Sequence, residues 1–149
     1  MNERIIVVSG YFDPLHWGHI EYMRQAKALG TKLVVIVNND RQSVLKKGMF
    51  CMPAAERVKI IRELKCVDLV VESIDEDRTV CRTLAMLHPH VFANGGDQFN
   101  GSIPEAEICK QLDIELVDGL GAKVQSSRWI LSNLQKKLSE AKAIDYLAQ

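Results

Sequence analysis

Four β-branched residues in succession, Ile5, Ile6, Val7 and Val8, leave the chain little choice. A run that is apolar on both faces is the pattern of a parallel strand covered on both sides, not of a half-solvated one. Ser9 and Gly10 end it. From Ile20 the apolar residues return at helical spacing, at Ile20, Met23, Ala26 and Leu29 with Tyr22 beside them, and Gly30 stops that helix. Strand, tight turn and helix start therefore meet within residues 10–19, read GYFDPLHWGH. In an open α/β sheet such a helix start presents unpaired N–H groups and a positive dipole end, which suits phosphate.

The residue types in this turn fit that use. Gly18 has no side chain, so a phosphate could approach its backbone closely. His16 and His19 are three apart and can converge on one anion, and imidazoles donate hydrogen bonds and can carry charge near neutral pH. The lysine of a GxxxxGK[ST] loop is missing, so this is not a Walker site. Two histidines could merely cap a solvated helix. A pair flanking a glycine, directly after a buried strand, favours phosphate chemistry instead.

The pattern repeats along the chain. Residues 32–37, 67–71, 91–93 and 114–117 read as further buried-type strands. Helical stretches are expected from Pro53, over residues 78–87, from Ser102 to Leu112, and from Arg128 onward. In the helix opened by Pro53, Val58, Ile61 and Leu64 form the apolar stripe, with Ile60 beside it. Ser102 and Glu105 read as a capping box. This alternation predicts an α/β, Rossmann-like three-layer sandwich, a five-stranded parallel sheet with helices on both faces. The expectation is one domain over residues 1–149 with a C-terminal helical tail from about residue 128.

Three other segments sit where strands end or helices begin. Asn38, Asn39 and Asp40 could face a ligand or simply turn the chain. Residues 41–52 read as an irregular loop whose Lys46 and Lys47, ahead of Gly48, could reach the outer phosphates of a nucleotide. Asn94, Gly95, Gly96 and Asp97 follow the fourth strand, where paired glycines permit close backbone approach. Ser126, Ser127 and Arg128 open the last helix, as ordinary caps or as a second phosphate seat. The acidic stretch 72–77 reads as solvated and capping the next helix, not as a metal site. His88 and His90 belong to a connection.

Composition excludes several classes. Nineteen basic residues balance nineteen acidic ones in 149 residues, so no global field favours nucleic acid or an anionic membrane. Cys51, Cys66, Cys81 and Cys109 are too scattered for a zinc site and read as free thiols in a reducing cytoplasm. No apolar run resembles a signal peptide or approaches the ~20 residues of a membrane span.

The turn GYFDPLHWGH resembles the GxFDxxHxGH signature of the cytidylyltransferase-like nucleotidylyltransferases, and the resemblance extends over nearly the whole chain. That superfamily includes glycerol-3-phosphate and ethanolamine-phosphate cytidylyltransferases, the adenylyltransferase domain of ADP-heptose synthase and archaeal FAD synthetases. The resemblance implies that Gly10, Tyr11, Phe12, Asp13 and Gly18 line a nucleotide site. It implies that Lys47 and Arg57 help hold the nucleotide, and that Arg57, as the arginine of the family's ER pair, also organises the site. Some members carry a further arginine where this chain has Met49. The segment at Asn94, Gly95, Gly96 and Asp97 is similar to the family's GGD or GDD segment. Glycerol-phosphate cytidylyltransferases have an acidic residue at the position of Gly96, whereas the heptose-phosphate adenylyltransferase type reads GGD, which tilts the donor from CTP toward ATP. Ser126 and Ser127 look like its ISTT or SST signature.

The reaction implied is attack by an acceptor phosphate, or a phosphonate, on the α-phosphorus of CTP or ATP, with pyrophosphate leaving. An ionised acceptor needs no enzyme nucleophile, so positioning and charge stabilisation remain. His16 and His19 would stabilise charge on the α-phosphate, Lys46 and Arg128 would neutralise pyrophosphate, and Mg²⁺ would bridge phosphates with few protein ligands. The partners expected are the nucleoside triphosphate and a small phosphorylated sugar, polyol or alcohol. Neither nucleic acid nor membrane is expected, and a homodimer is in keeping with the family. The alternatives are an FMN acceptor, as in the FAD synthetases, and a nucleotide-binding regulator without chemistry.

Overall fold

The computed structural model describes residues 2–95, 103–121 and 127–148, with only the backbone of residues 127–129 and 143–148. In chain order the elements are β1 (Ile5–Gly10), α1 (Trp17–Lys27), β2 (Lys32–Val37), α2 (Asp40–Lys47), α3 (Ala54–Arg62), β3 (Leu69–Glu72), α4 (Cys81–Leu87), β4 (Val91–Gly95), α5 (Ala106–Gln111), β5 (Glu115–Leu120) and α6 (Ser127–Ala148). The strands form one parallel sheet in the order β3-β2-β1-β4-β5. This is the doubly wound arrangement that the alternating pattern predicts.

Alternation along the central strands divides the core. Ile6 and Val8 of β1 face Met23, Ala26, Val35 and Ile61, beneath α1 and α3. Val7 faces the other way, with Ile36, Val80, Leu84, Phe92 and Cys109, beneath α4 and α5. Each inward residue of β1 is fully buried, which is why the strand is apolar without interruption. From β1 the chain winds outward to β2 and β3, then crosses back to β4 and β5. The loops leaving β1 and β4 therefore diverge and open a crevice at the carboxyl edge between these neighbours.

Several boundaries differ from the sequence reading. α1 begins at Trp17, ahead of Ile20, with His16 at its N-cap. Residues 40–47, expected to be irregular, form helix α2. Asn39 and Gln42 cap it reciprocally, Asn39 Oδ1 accepting from Gln42 N at 2.9 Å and Gln42 Oε1 from Asn39 N at 3.0 Å, and Gly48 closes it at φ 79°. α4 starts at Cys81, not Arg78. Ser102 lies outside the described residues, and Glu105 caps a different helix from the one expected, its Oε1 accepting from Val80 N at 3.2 Å. The acidic stretch is only partly solvated. Asp75 is buried, and its carboxylate accepts from Arg82 N, Thr83 N and Thr83 Oγ1 to hold the start of α4. His88 and His90 serve the backbone, His90 Nδ1 accepting from Ile5 N at 2.9 Å and His88 Nε2 meeting Leu112 O at 3.0 Å.

Gly30 marks where α1 turns into β2. A Cβ there would run into the Arg4 carbonyl oxygen and lie 2.8 Å from the Ile6 side chain. That carbonyl already accepts from Thr31 N and Lys32 N. Gly30→Ala must displace backbone, and the expected cost is about 1–3 kcal/mol, read as a Tm lower by about 2–10 °C. An unchanged Tm would show that this junction tolerates a side chain.

Candidate active site

The turn after β1 is shaped by interior packing. Phe12 adopts a left-handed conformation (φ 53°) and is 2% exposed. Its ring lies where a Cβ on Gly10 would be, 2.7 Å from Phe12 Cζ, so Gly10 makes room for Phe12. The same ring meets the edge of His19, with centroids 4.9 Å apart. Asp13 is 1% exposed, and its carboxylate accepts from Cys51 N at 2.7 Å and Met52 N at 2.9 Å. Phe12 and Asp13, expected among the nucleotide contacts, thus turn their side chains inward. Their work is to fix the turn and to fasten the 51–52 segment beside it.

Arg57 is anchored in the same way. It is 1% exposed, and its guanidinium donates to Met52 O (2.9 Å), Tyr11 O (2.6 Å), Asn38 O (2.8 Å) and Asp40 Oδ1 (3.0 Å). Every one of these partners belongs to the protein, so Arg57 shapes the site by binding three loops together. Asn38 and Asn39 are likewise engaged, Asn38 Nδ2 with Gln42 and Asn39 Nδ2 with the Ser73 and Asp75 carbonyls. Sequence reasoning missed this use of Asn39 and Gln42, although the N-x-x-Q spacing is a capping signature.

What faces the crevice is smaller. His16 and His19 stack, with ring centroids 3.7 Å apart and planes inclined by 24°. His19 Nδ1 accepts from His16 N at 3.2 Å, so a neutral His19 carries its proton on Nε2, away from the backbone. His16 Nδ1 is buried with no hydrogen-bond partner among the described residues. Burial lowers the affinity of both rings for a proton. His19, which also feels His16 and Lys47, is pushed down to about 3. Near pH 7 the ligand-free pair is therefore neutral, contrary to the charge allowed for above. The site offers N–H donors to phosphate, and a bound anion would oppose the desolvation that keeps them uncharged.

Lys46 and Lys47 lie in the last turn of α2, not in a loop. Lys46 Nζ sits 4.4 Å and Lys47 Nζ 5.5 Å from the Tyr11 ring centroid, and Lys47 reaches the Asp13 carbonyl at 3.5 Å. Across the crevice, Asn94 is 7% exposed and its Nδ2 has no hydrogen-bond partner among the described residues. A Cβ on Gly95 would meet nothing within 4 Å, so the end of β4 borders open space. Gly18 is the second residue of α1. The structure thus brings together Tyr11, His16, Gly18, His19, Lys46 and Lys47, with Asn94 and Gly95 on the adjoining strand. Gly96, Asp97 and Ser126 lie outside the described residues. Ser127 and Arg128 begin α6, and only their backbone is described. Buried donors without partners cost roughly 1–3 kcal/mol each, which a polar ligand would relieve.

A family model described as cytidylyltransferase-like matches residues 7–136. Two relatives, each described as bifunctional protein HldE, share 40% identity over 109 residues (Streptomyces coelicolor) and 36% over 125 residues (Pelobacter propionicus). These alignments cover 72% and 83% of this chain but only 23% and 24% of the relatives, so the chain spans about a quarter of their length. A crystal structure of the lipopolysaccharide core biosynthesis protein from Thermoplasma volcanium superposes with a TM-score of 0.70 at 26% identity, covering 82% of this chain and all of that one.

Two measurements test the site as built. Arg57→Met leaves three carbonyls short of donors in a buried place, while the part-exposed Asp40 keeps the Ala54 N–H, and the expected loss is about 3–5 kcal/mol in urea unfolding. A loss below about 1 kcal/mol would mean the loops hold without it. His19 binds a proton more weakly in the folded protein than in the unfolded chain, so its contribution is full above about pH 6.5 and falls as pH drops toward about 3. His19→Gln should flatten the decline in unfolding free energy between pH 7.5 and 5. Parallel declines in both proteins would refute a neutral buried His19.

Proposed function

The chain belongs to the cytidylyltransferase-like family, and from that premise we propose that it transfers a nucleotidyl group from ATP or CTP to a small phosphorylated acceptor, releasing pyrophosphate. The observation that carries this reading is the stacked His16–His19 pair at the start of α1, facing the same crevice as Lys46 and Lys47. An acceptor of the sugar- or polyol-phosphate type is favoured by the likeness to a protein named for lipopolysaccharide core biosynthesis.

An acceptor phosphate is already an anionic nucleophile, so no side chain must be deprotonated. One of its oxygens attacks the α-phosphorus, the bond from that phosphorus to the bridging oxygen breaks, and pyrophosphate leaves with the electron pair. His19 Nε2–H and the His16 ring donate hydrogen bonds to oxygens whose charge rises at that moment. Lys46 and Lys47, on the side of α2, would meet the departing pyrophosphate, and Arg128 at the start of α6 would join them. Tyr11, Asn94, Gly95, Gly96 and Asp97 would line the nucleotide, with Ser126 and Ser127 at the far phosphates. Among the described residues no group of three or more His, Cys, Asp or Glu is placed to hold a metal ion. Mg²⁺ would enter on the triphosphate, where it characteristically keeps waters and few protein ligands, and would neutralise phosphate charge. No helix among the described residues is long and apolar enough to cross a membrane.

The test is pyrophosphate release with ATP and CTP against a panel of sugar, polyol and amino-alcohol phosphates. One pairing should turn over. His16→Ala and His19→Ala should each lower kcat by about 10²–10⁴ while circular dichroism stays native. Undiminished turnover in either variant would overturn the roles given to these rings.

A further inference from the structure

Lys46 and Lys47 are neighbours in the last turn of α2, and neighbours on a helix leave its axis about 100° apart, not side by side. Both nonetheless reach one ring. Lys46 Nζ lies 4.4 Å and Lys47 Nζ 5.5 Å from the Tyr11 ring centroid, within the ~6 Å over which a ring face attracts a cation. Lys47 also reaches the carbonyl oxygen of Asp13, at 3.5 Å, in the same turn. A basic pair at a helix C-terminus can serve the dipole alone. Side chains extended into water satisfy that use, which gives neither lysine a reason to bend toward the end of β1.

The ring is planted on fixed chain. Tyr11 is half-buried, and Arg57 Nη1 donates to its carbonyl oxygen at 2.6 Å. Phe12, the next residue, is 2% exposed and fills the space beside Gly10. Asp13 in turn accepts from Cys51 N and Met52 N, a few residues beyond the Gly48 that closes α2. The platform and the end of α2 are therefore anchored to each other through backbone groups, and the lysines are left to reach across.

We propose that Tyr11 is a positioning residue, whose ring draws the two ammonium groups together so that they take a pyrophosphate unit as one dication in preference to a single phosphate. Like charges on adjacent residues repel, and each lysine loses side-chain freedom when an anion fixes it. A ring with a negative face offsets part of that repulsion and orders the lysines before the anion arrives. The purpose rests on the transferase reading, in which this pair meets the leaving pyrophosphate. The binding itself does not. Tyr11 then acts on the triphosphate through the lysines, and its ring needs no contact of its own with the phosphates.

The deciding experiment is a chemical-shift titration of the ¹⁵N-labelled protein with inorganic pyrophosphate and, separately, orthophosphate, followed at the amides of residues 46–48. The wild type should bind pyrophosphate the more tightly, by about tenfold. Tyr11→Leu should weaken pyrophosphate binding roughly tenfold, while Tyr11→Phe, which keeps the ring, should stay within about threefold of the wild type. Phenylalanine bearing successively more ring fluorines at position 11 keeps that shape but drains negative charge from the face, so affinity should fall stepwise. The spectra report whether each variant is folded, and the fluorinated series decides the matter even if Tyr11→Leu does not fold. Equal affinity for the two anions in the wild type, unchanged affinity in a folded Tyr11→Leu, a loss in Tyr11→Phe as large as in Tyr11→Leu, or a flat fluorinated series each overturns the proposal. In turnover, Tyr11→Leu should raise KM for the triphosphate with KM for the acceptor unmoved, and Tyr11→Phe should restore it. A rise in both KM values would equally refute it. Failure of the transferase reading would appear separately, as wild-type protein releasing no pyrophosphate, with the titration still deciding Tyr11.

Discussion

A single buried guanidinium holds the site in shape. Arg57 gathers the carbonyls of Tyr11, Asn38 and Met52 and the carboxylate of Asp40, which come from the turn after β1, the turn after β2 and the approach to α3. Charge buried this deeply is tolerable only when its donors are satisfied. Here the carbonyls and the one anion do so, and in exchange three loops are fixed relative to one another. Asp13 performs the complementary task with the opposite sign, accepting two backbone N–H groups from residues 51 and 52. The crevice is thus bounded by chain that the interior holds in place.

Anchoring of this kind changes which residues are left for chemistry. Phe12, Asp13, Asn38, Asn39 and Arg57 have their polar or aromatic groups engaged by the protein itself. The groups that remain are a neutral imidazole pair, lysines at the end of a short helix, and buried polar atoms on His16 and Asn94 with no hydrogen-bond partner among the described residues. A neutral donor set suits a substrate that brings several negative charges. Desolvated N–H groups bind phosphate strongly without themselves repelling the lysines beside them.

The sheet was legible because its central strands are covered on both faces, so residues 5–8 and 32–37 could be little else. The parallel sheet with helices on both faces followed from the alternation of element types, which leaves the order of the strands open. Helix α2 escaped because its sequence, DRQSVLKK, has no apolar stripe, since the helix buries Gln42 and Ser43 and leaves Val44 and Leu45 exposed. Its signal was the reciprocal cap at Asn39 and Gln42, which periodicity does not see. The reach of Arg57 was hidden for a related reason. From α3 alone it is a charged residue on a helix, equally at home on a surface or a ligand, and only the folded chain shows three loops converging on it. The glycine at position 10 was read as a turn residue, and the structure adds that the ring of Phe12 fills the space its side chain would need.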